Sequence, residues 1–288
     1  MEKERRNRLP VILTLVVFAG ALVFAGIYDL DISLAVADPM SVFGRLFEIL
    51  GEPPAILFTA FNCALIASQL IKRPRKKRKY YALIALSCIG TVGTAYYTVY
   101  ATFKYFYTWS ADINGIPLAL PGYVKPVSAL ISVALSVLML IIALHMKKDT
   151  LDRIFDTACR CVFVGVTTFV VIWLIKLVWG RVRFRSMDGD YSLFTPWFLP
   201  QGFTGNFSFP SGHTSNAAVI FSSVYYLKFS GKKYIKRIMY PCLTVWLVVV
   251  ALSRVLVGAH FLSDVLCGMA ITLTIVWLWR PRKEPLFV

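Results

Sequence analysis

The sequence predicts an all-α fold, a polytopic transmembrane helix bundle of about eight spans, and three observations lead to it. Of the 288 residues, 58% are hydrophobic and the mean hydropathy is +0.66, whereas soluble domains carry roughly 45–50% apolar residues. The apolar residues gather into runs near the length of about 20 that a spanning helix needs. The net charge of +16 is also unevenly placed: Lys and Arg crowd every second connection between the runs. That pattern fits membrane topology and excludes a nucleic-acid-binding surface.

Taken in order, the expected spans are Leu9–Tyr28, Pro54–Ile71, Tyr80–Phe103, Pro126–His145, Ala158–Trp179, the short Thr214–Phe229, Arg237–Val257 and Phe261–Trp279. Leu9–Tyr28 exceeds the roughly 7–15 apolar residues of a cleavable signal and is read as a retained anchor. Met40–Leu50 places Phe43, Leu46, Phe47 and Leu50 on one helical face, as expected of a helix lying in the interface. Tyr96–Trp109 is dense in aromatic residues, which suits an interfacial belt. The six cysteines lie in or beside apolar runs, so no disulfide framework is expected, and Cys159-x-Cys161 is read as packing rather than a metal site.

Starting the N-terminus on the cytoplasmic side puts five basic segments inside: residues 1–8, 72–79, 146–160, 228–237 and the tail from Arg280. The exceptions are Arg45, Lys104, Lys125, Lys176, Arg181, Arg183, Arg185 and Arg254. Under the positive-inside rule, a bacterial cytoplasmic membrane would hold this chain with both termini inside. The ends that carry these exceptions, and the stretch Pro210-Ser211-Gly212-His213, would then face outward.

Five of the outward cations cluster in sequence around helix ends. Lys176 and Arg183, about two helical turns apart, are expected to share a face. Arg254 ends the seventh span, and His260 and Asp264 open the eighth at the i, i+4 spacing that stacks side chains. A carboxylate there can take the Nδ1 proton of the imidazole and leave Nε2 free as a nucleophile or base. Pro210 suits a first helical turn and Gly212 a close backbone approach. The N–H groups of that turn and the Ser211 hydroxyl would then face an anion. With Lys176, Arg183 and Arg254, the donors suffice for a tetrahedral dianion. His213 would stand across from His260 and could give a proton to a leaving oxygen.

Three segments carry a resemblance: Lys176-x6-Arg183-Phe184, Pro210-Ser211-Gly212-His213, and Ser253-Arg254-x5-His260-x3-Asp264. Together they resemble the signature of the type 2 phosphatidic acid phosphatase family, which shares its site with the vanadium haloperoxidases. The second and third segments match at every defining position; in the first, Phe184 stands where the family usually has proline. The resemblance covers roughly residues 150–280. It divides the chain into an N-terminal transmembrane region (1–150) and a phosphatase core (151–288) formed by the last four spans. It implies a metal-independent phosphohydrolase with no cofactor, acting on a lipid phosphate or isoprenoid pyrophosphate drawn from the surrounding membrane lipids. In that scheme His260 is the nucleophile, Asp264 its orienter and His213 the acid. Lys176, Arg183, Arg254, Ser211 and Gly212 bind phosphate.

Blander readings account for other residues. His145 belongs at an interface, and Arg181 and Arg185 are expected to face headgroups or solvent. A metal on His213, His260 and Asp264 would be repelled by the surrounding cations. A binding or transport protein for an anionic headgroup is the competing function class, and it has no use for an oriented nucleophile; a lipid phosphotransferase, passing the phosphoryl group to an acceptor other than water, is the other alternative. The identity of the lipid is expected to lie in the Ser186–Phe209 loop and the first four spans, and no motif there can be read.

Overall fold

The structure, a computed structural model, describes residues 2–73 and 78–281, with the side chains of residues 2–15 left aside. The charges of residues 1–8, residues 74–77 of the basic run and the tail beyond residue 281, on which the topology argument draws, lie outside the described side chains. The described chain is helical without strands: α1 (Glu2–Val36), α2 (Val42–Leu50), α3 (Pro53–Lys72), α4 (Arg78–Asn114), α5 (Val124–His145), α6 (Lys148–Trp179), α7 (Gly212–Val219), α8 (Lys233–Leu256) and α9 (Leu262–Trp279).

Seven helical stretches among the described residues are long and apolar enough to cross a membrane, with Val42–Lys72 counted as one. The sixth expected span is built differently. Thr214–Phe229 comprises α7 and a ten-residue 3-10 segment, Ile220–Phe229. A 3-10 helix rises about 2.0 Å per residue against 1.5 Å, so the two together reach about 32 Å. That matches a hydrocarbon core of about 30 Å. The segment starts beside the Pro210–His213 turn and ends where Arg153 lies over the Phe229 ring.

Other boundaries shift for physical reasons. α6 begins at Lys148, so the expected 146–160 connection is mostly helix. α4 runs for 37 residues, about 55 Å, and carries its Tyr- and Phe-rich turns past the thickness of a bilayer. α2 does not simply float on an interface. It packs against α4 and α8, turning Arg45 and Glu48 inward and Val42, Phe43, Leu46 and Leu50 outward.

That inversion is general. On α5, Ser128, Ser132 and Ser136 are buried against α3 and α4, while Leu130, Val133, Val137, Leu138, Ile141 and Ile142 face outward. In lipid the apolar face needs no burial, and small residues let helices approach closely. Two of the three hydroxyls are satisfied locally, Ser132 Oγ donating to the Ser128 carbonyl and Ser136 Oγ to that of Ser132, both at 2.6 Å, while Ser128 Oγ has no partner. The interior layer joins α3, α6, α7 and α9 through Ala55, Cys161, Val164, Val219, Tyr225 and Ile275. A second layer joins α7 to α8 through Ala217, Ala218, Leu247 and Val250. All six cysteines are unpaired thiols.

α9 and α7 meet most closely at Gly268. A Cβ there would lie 2.7 Å from the Ser211 carbonyl oxygen and 2.9 Å from Ser215 Oγ. Ser215 Oγ donates to the Gly268 carbonyl at 3.2 Å, and Ser211 N to the Asp264 carbonyl at 2.9 Å. These contacts fix the start of α7 against the start of α9.

Candidate active site

Four chain segments converge at one end of the bundle. Lys176 arrives on the last turn of α6, which Gly180 ends in the left-handed conformation, φ +60°. Arg183 therefore does not share a helical face with Lys176, as its spacing suggested; it comes from extended chain beyond the cap. Lys176 Nζ donates to the Phe207 carbonyl at 2.6 Å and Arg181 holds Ser208 through its backbone carbonyl, so the long loop folds back over the helix end. Phe184, in place of the family's proline, packs edge-on against Phe261 and stacks on Tyr191. Arg185 N donates to the Gly258 carbonyl at 2.9 Å. The first and third motifs are thus tied together by rings and one backbone bond.

His260 Nδ1 lies 3.6 Å from Asp264 Oδ2, just beyond hydrogen-bond distance, and across a helix start rather than along a helical face, since α9 opens at Leu262. Asp264 Oδ2 accepts the Phe261 N–H at 3.0 Å and the Ser208 hydroxyl. One carboxylate therefore caps the helix and faces the imidazole. Burial pushes the His260 imidazole down to about 3, opposed by Asp264 and reinforced by the charges of Lys176 and Arg183. The ring stands neutral. Lys176 and Arg183 act on its titration, which brings the first motif to the third, and the Ser211 N–H bonded to the Asp264 carbonyl brings in the second.

The cations retain free valence. Arg254 is buried, its Nη2 donates to Glu48 Oε1 at 2.8 Å, and its Nε and Nη1 have no partner; Arg183 Nε is likewise buried and unpartnered. Burial, then the neighbouring Arg185, lowers the Arg183 guanidinium from its ordinary value. Buried N–H groups without acceptors are costly, and an anion above them would satisfy them. Ser211 is first a helix cap: its Oγ accepts from Thr214 N at 3.4 Å and lies 3.0 Å from Thr214 Oγ1. A Cβ added to Gly212 would point at Lys176 Cε, 3.6 Å away. His213 lies buried, with Nε2 3.1 Å from the Glu48 carbonyl, and the charged groups around its ring include Glu52, Arg254 and Glu48.

Two expectations are corrected. Arg181 faces neither headgroups nor solvent: it is 1% exposed and donates to Asp264 Oδ1 at 2.6 Å, Asp29 Oδ2 at 3.0 Å, Ser263 Oγ at 2.9 Å and the Thr195 carbonyl at 2.9 Å. It holds Asp264 from behind the reacting face. Arg185 donates to Glu48 Oε1 at 3.2 Å. Sequence reasoning also missed three buried acids. Asp29 on α1 bonds Ser263 and Arg181. Glu48 on α2 gathers Arg45, Arg185 and Arg254 at 2.9, 3.2 and 2.8 Å. Glu52, before α3, faces His213. The available signal was acids set inside apolar runs, since a carboxylate in a span demands a partner.

Comparison with known proteins agrees with this geometry. Residues 157–284 match the PAP2 superfamily. The chain is 36% identical over 118 residues to phosphatidylglycerophosphatase B of Bacillus subtilis, covering 38% of this chain and 57% of the relative. It is 36% identical over 98 residues to the lipid A 1-phosphatases of Rhizobium johnstonii and Rhizobium etli, covering 34% of this chain and 36% and 38% of those relatives. The matches thus span between about a third and somewhat over half of the curated relatives. No solved structure matches the chain. The three motifs that fold together at this end of the bundle all lie inside the stretch, residues 157–284, that is similar to the PAP2 superfamily.

Proposed function

We propose that this chain is a membrane phosphohydrolase that removes the terminal phosphate of a lipid phosphate or isoprenoid pyrophosphate at the extracytoplasmic face. The observation that carries the reading is Arg254, buried with two guanidinium nitrogens unpartnered beside a neutral, carboxylate-facing His260. The cations alone would hold an anion; the histidine gives it a reaction.

In this scheme His260 Nε2 attacks phosphorus in line. The P–N bond forms as the bond to the leaving oxygen breaks, and His213 gives that oxygen its proton. Asp264, itself clamped by Arg181, balances the positive ring of the phosphohistidine. Arg254, Arg183 and Lys176, with the α7 N-terminus at Ser211 and Gly212, neutralise the equatorial oxygens. Water then attacks phosphorus, the P–N bond breaks, His213 takes the proton of the water, and inorganic phosphate leaves. The named activities of the three relatives, each a lipid phosphatase, support a substrate of this class.

The test is phosphate release by purified protein from phosphatidate, phosphatidylglycerol phosphate, undecaprenyl pyrophosphate and lipid A. Release from at least one is expected, and His260→Ala should fall to the background while still inserting in the membrane. Turnover retained by that variant would overturn the mechanism.

A further inference from the structure

Among the described residues, no carboxylate of the matched region pairs with the acid histidine. One arrives from outside that region, at the corner between α2 and α3. Glu52 is 4% exposed and immediately precedes Pro53 and Pro54, which start α3 and fix the backbone that presents it. Its Oε1 lies 3.5 Å from His213 Nδ1 and accepts Asn216 Nδ2 at 2.9 Å; its Oε2 accepts the Tyr97 hydroxyl at 3.5 Å. Asn216 follows His213 by three residues on α7, so one helix face presents both the ring and the clamp on its carboxylate. The Tyr105 ring lies against the imidazole, centroids 4.9 Å apart.

The hydrogen-bond accounting of that ring is specific. A neutral imidazole has one N–H, yet both His213 nitrogens face acceptors, the Glu48 carbonyl at 3.1 Å and Glu52 Oε1 at 3.5 Å. A ring protonated on both nitrogens, the state an acid needs before it delivers its proton, would serve both. We propose that Glu52 is the positioning carboxylate of His213. It holds Nδ1–H so that the Nε2 proton can be passed to the leaving oxygen, and it stabilises the ring's charge before that transfer. The N-terminal region thereby completes a second carboxylate–histidine pair opposite Asp264–His260. This inference rests on the phosphohydrolase reading.

An acid is needed for a poor leaving group and is nearly superfluous for a good one. The experiment therefore measures the ratio of turnover on a short alkyl monophosphate to turnover on p-nitrophenyl phosphate in detergent. The proteins compared are wild type, Glu52→Gln, His213→Ala and the double variant. Because it is a ratio within one sample, it does not depend on how much of the protein has folded. Glu52→Gln is expected to lower it about 10- to 100-fold, with no further fall when combined with His213→Ala. Asn216→Ala, which leaves the carboxylate but unclamps it, should shift the ratio the same way by less. Equal loss on both substrates, or losses that multiply in the double variant, would overturn the role of Glu52 while leaving the phosphatase reading intact. A silent wild type, or an active His260→Ala, would remove that reading and this inference with it.

Discussion

At the residue scale, the two arginines that look alike in sequence do opposite work. Arg254 has two open nitrogens for an anion, so Arg254→Lys should cost about 10²–10³-fold in kcat/KM, the range for losing preorganised donors to developing charge; near-normal kinetics would remove it from the phosphate seat. The Arg181 guanidinium bridges two buried acids, Asp29 and Asp264. Arg181→Met should destabilise the protein by about 3–5 kcal/mol, because it strands both carboxylates. Thermal melting in detergent checks this, and an unchanged melting temperature would contradict the clamp. His260 adds a pH dependence with a definite sign. Its folded pKa, about 3, lies below its ordinary 6.5, so the unfolded chain binds the extra proton between those values. The stability gained from burying a neutral ring is full above about pH 6.5 and is lost as pH falls toward about 3. Wild type should therefore lose more melting temperature between pH 7 and pH 5 than His260→Ala does; equal losses would show the ring is not buried neutral.

At the element scale, the site depends on how closely α7 and α9 meet. Gly268 has room for no Cβ against Ser211 and Ser215. Gly268→Ala should cost about 1–3 kcal/mol through overpacking and move the Ser211–His213 turn away from Asp264 and His260, cutting activity more than Ala substitution at the outward-facing Leu273. Parallel activity and melting measurements on the two variants decide it. The elements also show what was legible in sequence. Apolar runs and helix-end motifs located the bundle and the eight site residues, because hydropathy and short-range spacing are local properties. What escaped was tertiary. The end of α6 at Trp179 was legible, but its consequence for Arg183 was not drawn, and nothing local says that α7 continues as a 3-10 segment or that α2 turns its two charges inward.

At the scale of the whole molecule, the N-terminal helices are part of the site rather than a membrane anchor beside it. Asp29, Glu48 and Glu52 each reach a motif residue from 29 to 52 positions into the chain, and none is visible to a reading confined to the matched residues 157–284. This dependence bears on sidedness. All the motif residues lie at one end of the bundle, the end that carries Arg45 and Lys176 to Arg185. The opposite end carries Lys72, Lys147, Lys148, Lys228, Lys232 and Lys233. The positive-inside bias supports the proposed outward orientation of the site. A water-soluble phosphate ester that does not cross membranes should be hydrolysed by sealed right-side-out vesicles without detergent. Sealed inverted vesicles should be silent until permeabilised, with His260→Ala vesicles as the blank. The reverse pattern would turn the molecule over and bring its substrate from the cytoplasmic leaflet, since a site tied to both ends of the chain cannot face two sides.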